Sequence, residues 1–369
     1  MGKPKVMVAM SGGVDSSVAA ALLKEEGFDV TGVTIKLWPK YIDPAEDGSG
    51  CCSLAAVEDA RRVAQLLEIP YYVLNMQEEF QKNVIDKFSR EYMLGRTPNP
   101  CIECNRSIKF GRLLEKAVQL GMDYIATGHY ARIVKEGNVY RLFRGRDAAK
   151  DQSYALYALT QDMLSRTLFP VGEYRKEEIR ALARKFQLRI AAKPDSQEIC
   201  FIPDNDYKGF LTKYAGVQNT PGNIVDLRGN VLGTHTGIFN YTIGQRKGLG
   251  LAVGEPLYVV DINPENNTVV VGRNADVFSR EFTVTDFNWI SGAPPAEEFD
   301  ASVMIRYNAP THPARIYVSR QGQVRIVFAQ PQRAITPGQS AVIYDGDEVL
   351  GGGIILSRQL ISDVKEPKK

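Results

Sequence analysis

Residues 9–17 read AMSGGVDSS: two glycines, three serines and an aspartate stand between an apolar run, KVMVA, and a helix-like run, SVAAALLKEEG. A glycine turn from strand to helix is a place to hold an anion. Gly12 and Gly13 let the backbone approach a ligand, and the N–H groups that open the next helix point at it. Ser11, Ser16 and Ser17 add hydroxyl donors. No Lys follows the second glycine, so the spacing matches neither G-x-x-x-x-G-K-[ST] nor G-x-G-x-x-G. The other candidate chemistry is sulfur, from Cys51, Cys52, Cys101, Cys104 and Cys200. Cys101-Ile-Glu-Cys104 is a C-x-x-C, which fits half a zinc site, a redox pair or a reactive thiol. A closed zinc site needs four ligands, and no second C-x-x-C or H-x-x-x-H is present. A helix beginning near Ser107 puts Cys104 just before its N-terminus, with Arg106 and Lys109 close by, and both effects depress a thiol pKa. Cys200, in AAKPDSQEICFI, lacks such neighbours and reads equally as a buried core thiol or a catalytic one. Cys51 and Cys52, at the start of a helix, read as structural.

The elements that must position these groups alternate between residue 5 and about residue 200. DVTGVTIKLW (29–38), YYVLNM (71–76) and MDYIATGHY (122–130) read as strands. LAAVEDARRVAQLL (54–67), FQKNVIDKFSREYML (80–94) and IKFGRLLEKAVQLG (108–121) read as helices, the first with Leu54, Val57, Ala60, Ala64 and Leu67 on one face. This alternation predicts an α/β fold with a parallel, doubly wound sheet. Ligands on such sheets sit at the carboxyl ends of the strands, where the SGGVDSS loop, Ile35–Trp38 and Thr127–His129 converge. Beyond about residue 205, Gly- and Pro-bounded β segments take over, with hairpin turns at NPENN and RQGQ. The expected layout is a catalytic α/β domain over 1–205, a small β-rich domain over 206–277 and a C-terminal β-barrel over 278–369, ending in a frayed VKEPKK tail.

The balance of 45 Lys and Arg against 43 Asp and Glu leaves a net charge of +2, so any nucleic-acid contact must be a local patch. No apolar segment approaches the roughly 18 residues needed to span a membrane, and the start, MGKPKVMVAMSGG, has no signal-peptide cleavage pattern. Five cysteines in 369 residues do not make a secreted disulfide scaffold. The expectation is a cytoplasmic protein of two or three domains, without membrane association.

The SGGVDSS loop resembles the SGGxDS loop of the PP-loop ATP pyrophosphatases, which hold ATP for attack at the α-phosphate and release pyrophosphate. SGGVDSS, TPNPCIECN, ATGHYAR, KDQSYAL, KPDSQEICFI, YTIGQRKGLG and MIRY follow one another from residue 9 to 307. This ordered set resembles the bacterial tRNA-specific 2-thiouridylases of that family. The resemblance implies 2-thiolation of the wobble uridine in tRNAs for Lys, Glu and Gln. The uracil C2 oxygen is first adenylated by ATP with its Mg2+, and sulfur then arrives from a cysteine persulfide. It implies Cys200 as the persulfide carrier and Cys104 as the nucleophile that releases sulfur, leaving a Cys104–Cys200 disulfide. Ala9, Met10, Ser11, Gly12, Gly13, Val14, Asp15 and Ser16 would surround the ATP phosphates, with Ile35 and Gly128 at the nucleotide. Asn99, Pro100 and Cys101 would contact the target base, and Lys150, Asp151, Gln152, Arg306 and Tyr307 the tRNA. A sulfur-carrier protein or cysteine desulfurase would supply the persulfide to a monomer with no resident metal. Many family members carry Asp where this chain has Cys101. A thiol with a pKa near 8.5 is a poor substitute for a carboxylate, which leaves Asp195 as a candidate acid/base. His129, in GHYAR, reads as a residue that orients its loop by hydrogen bonding rather than as a general base. Two other readings share parts of this pattern: a PP-loop synthetase or ligase acting on a small metabolite, and a zinc-stabilised RNA-binding module.

Overall fold

The computed structural model of the chain describes residues 2–37, 54–193, 199–202 and 206–360. Its first seven strands are β1 (Lys5–Ala9), β2 (Asp29–Lys36), β3 (Tyr71–Asn75), β4 (Tyr124–Ala126), β5 (Ala131–Glu136), β6 (Val139–Arg144) and β7 (Thr167–Leu168). All but β5 and β6 form one parallel sheet in the order β3-β2-β1-β4-β7. Side-chain alternation along β1 then decides which helices cover which face. Val6 and Val8 pack with α1 (Val14–Glu25), α2 (Leu54–Leu66) and the Lys176–Lys185 helix. Met7 and Ala9 face the helices over 77–93 and 100–119 on the other side. The sheet is therefore doubly wound, with helices on both faces, as the run of apolar strands predicts.

Two helices differ from the sequence expectation. The helix expected over 108–121 begins at Pro100, where the Asn99 side chain accepts from Cys101 N at 3.1 Å and Pro100 occupies the first helical position. The Asn-Pro pair is thus the start signal, and the helix runs on to residue 119 through a π-helical stretch, Cys104–Arg112. In α2 the buried stripe is Ala56, Ala60, Val63 and Ala64, while Leu54 is 74% exposed. The first turn of α2 lies against Gly12, and it is the small Ala56 that faces inward there.

Strands β8 (Gly222–Val225), β9 (Val231–His235), β10 (Tyr258–Asn263) and β11 (Thr268–Gly272) make a separate sheet in the order β10-β11-β8-β9 around Ile224, Val259 and Val269. The last six strands are β12 (Phe278–Trp289), β13 (Glu298–Met304), β14 (His312–Val318), β15 (Val324–Arg333), β16 (Ser340–Asp345) and β17 (Glu348–Leu360). Because β12 pairs with both β15 and β17, these six close into a barrel. The β5–β6 hairpin of the α/β domain adds to this barrel sheet through Glu348↔Phe143 and Val349↔Leu142.

Candidate active site

Glycine geometry builds the loop between β1 and α1. Gly12 has φ +70°, and a Cβ there would lie 2.2 Å from the Ala56 carbonyl oxygen, so conformation and space both demand glycine. Gly13 is the extended N-cap of α1, and no side chain caps the helix in place of a ligand. Gly128 approaches the same turn: a Cβ on it would sit 2.6 Å from Ser16 N. Met10 and Val14 are buried beneath the loop. Ser16 Oγ accepts from Ser11 N at 3.1 Å, and Ser17 Oγ donates to the Gly13 carbonyl at 2.9 Å. Asp15 Oδ1 accepts from the Tyr130 hydroxyl at 2.7 Å, and Lys176 Nζ reaches both Asp15 oxygens at 2.7 and 2.8 Å. Lys193 Nζ donates to the Gly12 carbonyl at 3.1 Å and to Asp59 Oδ2 at 2.9 Å. Sequence reasoning gave no role to Lys176 or to Lys193, the first residue of KPDSQEICFI, because their partners stand 161 and 181 positions away.

Cys104 is buried at the start of the π-helical stretch, Cys101 is exposed one turn earlier, and Cys200 is half-buried. This corrects the expectation of a thiol just ahead of a helix: Cys104 lies inside the helix, and the open N-terminal turn falls at Cys101. Arg106 is bound across the domain seam, its Nη1 2.5 Å from Asp286 Oδ2, and that hydrogen bond raises its pKa. One apolar cluster joins the separate segments. It contains Ile35 and Leu37 at the carboxyl end of β2, Met76 just beyond β3, and Cys104, with Ala9 and Cys200 packed against it. Phe201 anchors the Cys200 segment there, its ring edge-on to Phe80, Phe88 and Phe210 at 5.6, 5.5 and 5.1 Å. Ala9 and Ile35, at the carboxyl ends of β1 and β2, and both candidate thiols thus belong to one apolar core that also reaches the barrel at Met304 and Val342.

His129 lies beside this region but is enclosed. Its Nδ1 is 2.7 Å from Thr127 Oγ1, and the Phe110 and Phe169 rings stand 5.8 and 5.9 Å away. Burial first, and the Lys109 charge second, hold its pKa well below the ordinary value, so the ring is neutral at neutral pH. It orients its loop rather than exchanging protons with solvent.

The segments expected to meet RNA come together at the seam between the α/β domain and the barrel. Tyr307, after β13, has its pKa raised by burial and then by the charges of Asp151 and Cys101. Its ring is 6.0 Å from that of Tyr154. Asp151 accepts from Gly145 N, Ser153 N and Ser153 Oγ at 3.0, 3.1 and 2.8 Å, and Gln152 Oε1 accepts from Tyr130 N at 3.0 Å. These two side chains shape the turn that presents Lys150. Arg306 donates to the Arg333 carbonyl at 3.4 Å. The barrel also fixes the approach to Asn99: Thr97 N donates to the Pro337 carbonyl at 2.9 Å, and Gln339 Nε2 to the Thr97 carbonyl at 2.8 Å. Trp38, Cys51, Cys52 and Asp195 lie outside the described residues. Among the described residues, no group of three or more His, Cys, Asp or Glu is placed to hold a metal ion.

Three family models match in succession: a tRNA methyl transferase HUP domain over residues 4–204, a tRNA methyl transferase PRC-barrel domain over 208–273 and an aminomethyltransferase beta-barrel domain over 279–355. A Carboxydothermus hydrogenoformans protein named tRNA-specific 2-thiouridylase MnmA is 58% identical over 361 residues, covering 97% of this chain and 99% of that one. The chain belongs to the tRNA-specific 2-thiouridylase family. Relatives of the same name from Lachnoclostridium phytofermentans and Acetivibrio thermocellus are each 54% identical, over 95% and 96% of this chain and 99% and 100% of their own. The match to this family takes in all the segments gathered above, including the barrel residues at the seam.

Proposed function

We propose that this enzyme converts uridine to 2-thiouridine at the wobble position of tRNAs for Lys, Glu and Gln, in the cytoplasm and as a monomer. The observation that carries the proposal is the shared cluster of Ala9, Ile35, Cys104 and Cys200. A core that takes in the strand end before the glycine loop and two thiols from distant parts of the chain suits a reaction that needs both. The uracil C2 oxygen attacks the α-phosphate of ATP and pyrophosphate leaves; this makes a poor leaving group into a good one. The terminal sulfur of a Cys200 persulfide then attacks C2 and AMP departs. Cys104 thiolate attacks Cys200 Sγ and breaks the S–S bond, so sulfur stays on C2 and a Cys104–Cys200 disulfide forms. An external thiol reduces that disulfide, and a sulfur-carrier protein or cysteine desulfurase reloads Cys200. Asn99, Pro100 and Cys101 are the groups that would meet the target base, and Lys150, Asp151, Gln152, Arg306 and Tyr307 those that would meet the rest of the tRNA.

ATP enters with its Mg2+. Asp15 and Asp59 are each already paired with a lysine. A synthetase for a small metabolite shares the loop but makes no use of paired thiols. The test is incubation with unmodified tRNA, Mg-ATP and a persulfide source, followed by nucleoside mass spectrometry. Thiouridine is expected from the unsubstituted chain and its loss from Cys104→Ser and Cys200→Ser, with tRNA-dependent pyrophosphate release kept in Cys200→Ser. Full activity in both variants, or no thiouridine despite ATP and tRNA binding, would overturn the reading.

A further inference from the structure

Residues 9–17 contain no lysine, although a triphosphate is strongly anionic, and two ammonium groups come to the loop from elsewhere in the α/β domain. Lys176 is the buried one. Both oxygens of Asp15 hold it, and Asp15 is the only carboxylate within residues 9–17, so this pair cancels the loop's own negative charge. Lys193 differs: its side chain is 37% exposed, and its ammonium rests on the Gly12 carbonyl and on Asp59 of α2. The Gly12 contact puts a cation at the residue where the backbone turns from strand to helix, with φ +70°.

Its side of the sheet suggests which phosphates it meets. The thiol cluster lies on the Ala9 face, whereas α1 and α2, the helix that carries Asp59, cover the opposite face. The oxygen that attacks the α-phosphate comes from the thiol side, and in phosphoryl chemistry the attacking and leaving oxygens lie roughly in line. On that reading the departing pyrophosphate would point toward α2. Resting on the nucleotide reading above, we infer that Lys193 binds the pyrophosphate portion of ATP. Asp59 holds its ammonium at Gly12, and the ammonium donates to β- or γ-phosphate oxygens that AMP lacks. Lys193 is thereby the residue that distinguishes the triphosphate and pyrophosphate from the monophosphate product. Lys176 is a positioning residue that keeps Asp15 neutralised.

Calorimetric titration of the full chain with inorganic pyrophosphate and, separately, with AMP tests this. Lys193→Met is expected to weaken pyrophosphate binding about 10- to 100-fold, the range for losing a charge-assisted hydrogen bond, and to leave AMP affinity unchanged. Lys193→Arg, which keeps the charge, is expected to retain most of the pyrophosphate affinity. Undiminished pyrophosphate binding by Lys193→Met would overturn the inference. So would a parallel loss of AMP binding, or an equal loss in Lys193→Arg, since either marks a structural prop. An unsubstituted chain that binds neither pyrophosphate nor ATP would instead remove the nucleotide reading itself.

Discussion

Burial keeps His129 uncharged, and that has a consequence for stability. In the unfolded chain its pKa returns to about 6.5, while in the fold desolvation and then Lys109 hold it well below that. As pH falls through about 6.5 the unfolded state binds a proton that the folded state refuses. The contribution is therefore fully present above that pH and is lost as pH falls toward the folded value, at up to about 1.4 kcal/mol per pH unit. Urea unfolding between about pH 7 and pH 5 should show a smaller acid loss in His129→Gln than in the unsubstituted chain; parallel curves would contradict the neutral, buried assignment. At this scale the sequence is legible where the information is local. Gly12 and Cys104 stand in short runs whose composition already states a use, whereas Cys200 and Gly128 gain one only from the family resemblance. Lys176 stands in no such run, and the partners of Lys193 and Tyr130 lie so far along the chain that only the fold supplies their roles.

At the scale of elements, the loop works because three elements converge on it: the end of β1, the open turn of α1 and the first turn of α2. Gly12→Ala tests that convergence. It forces a side chain into a left-handed conformation, at about 1–2 kcal/mol, and its Cβ collides with the Ala56 carbonyl, so α2 must move. The expected result is a lower Tm together with loss of ATP binding in a titration; unchanged ATP affinity would contradict the picture of a loop closed by α2. The alternation of strands and helices is enough to foresee the parallel sheet. It does not foresee the helix start at Pro100, because the apolar periodicity that marks a helix begins only where the helix meets the core at Ile102 and Ile108. The Asn99 cap and Pro100 are helix-start signals ahead of that pattern. The β5–β6 hairpin escapes for a related reason: its alternation fits any antiparallel pair, and which sheet it joins is set by β17, over two hundred residues on.

At the scale of the molecule, the barrel braces the helix that carries Cys104. Asn288 Nδ2 donates to the Tyr157 and Leu159 carbonyls at 2.7 and 2.9 Å, and the Tyr154 hydroxyl donates to the Ser340 carbonyl at 2.9 Å. With Pro337 and Gln339 on Thr97, and Asp286 on Arg106, the barrel fixes the thiol-bearing helix both before and after Cys104. Asp286 does so from a left-handed position, φ +50°, at an irregularity in β12. No sequence pattern reveals this, since Arg106 and Asp286 stand 180 residues apart. The most direct test of the account is a single turnover. Enzyme loaded with one persulfide on Cys200, given excess unmodified tRNA and Mg-ATP without reductant, is quenched and mapped by peptide mass spectrometry beside nucleoside analysis. The account predicts one Cys104–Cys200 disulfide for each 2-thiouridine formed. Thiouridine accumulating while Cys104 remains a thiol, or a disulfide formed instead through Cys101, would contradict it.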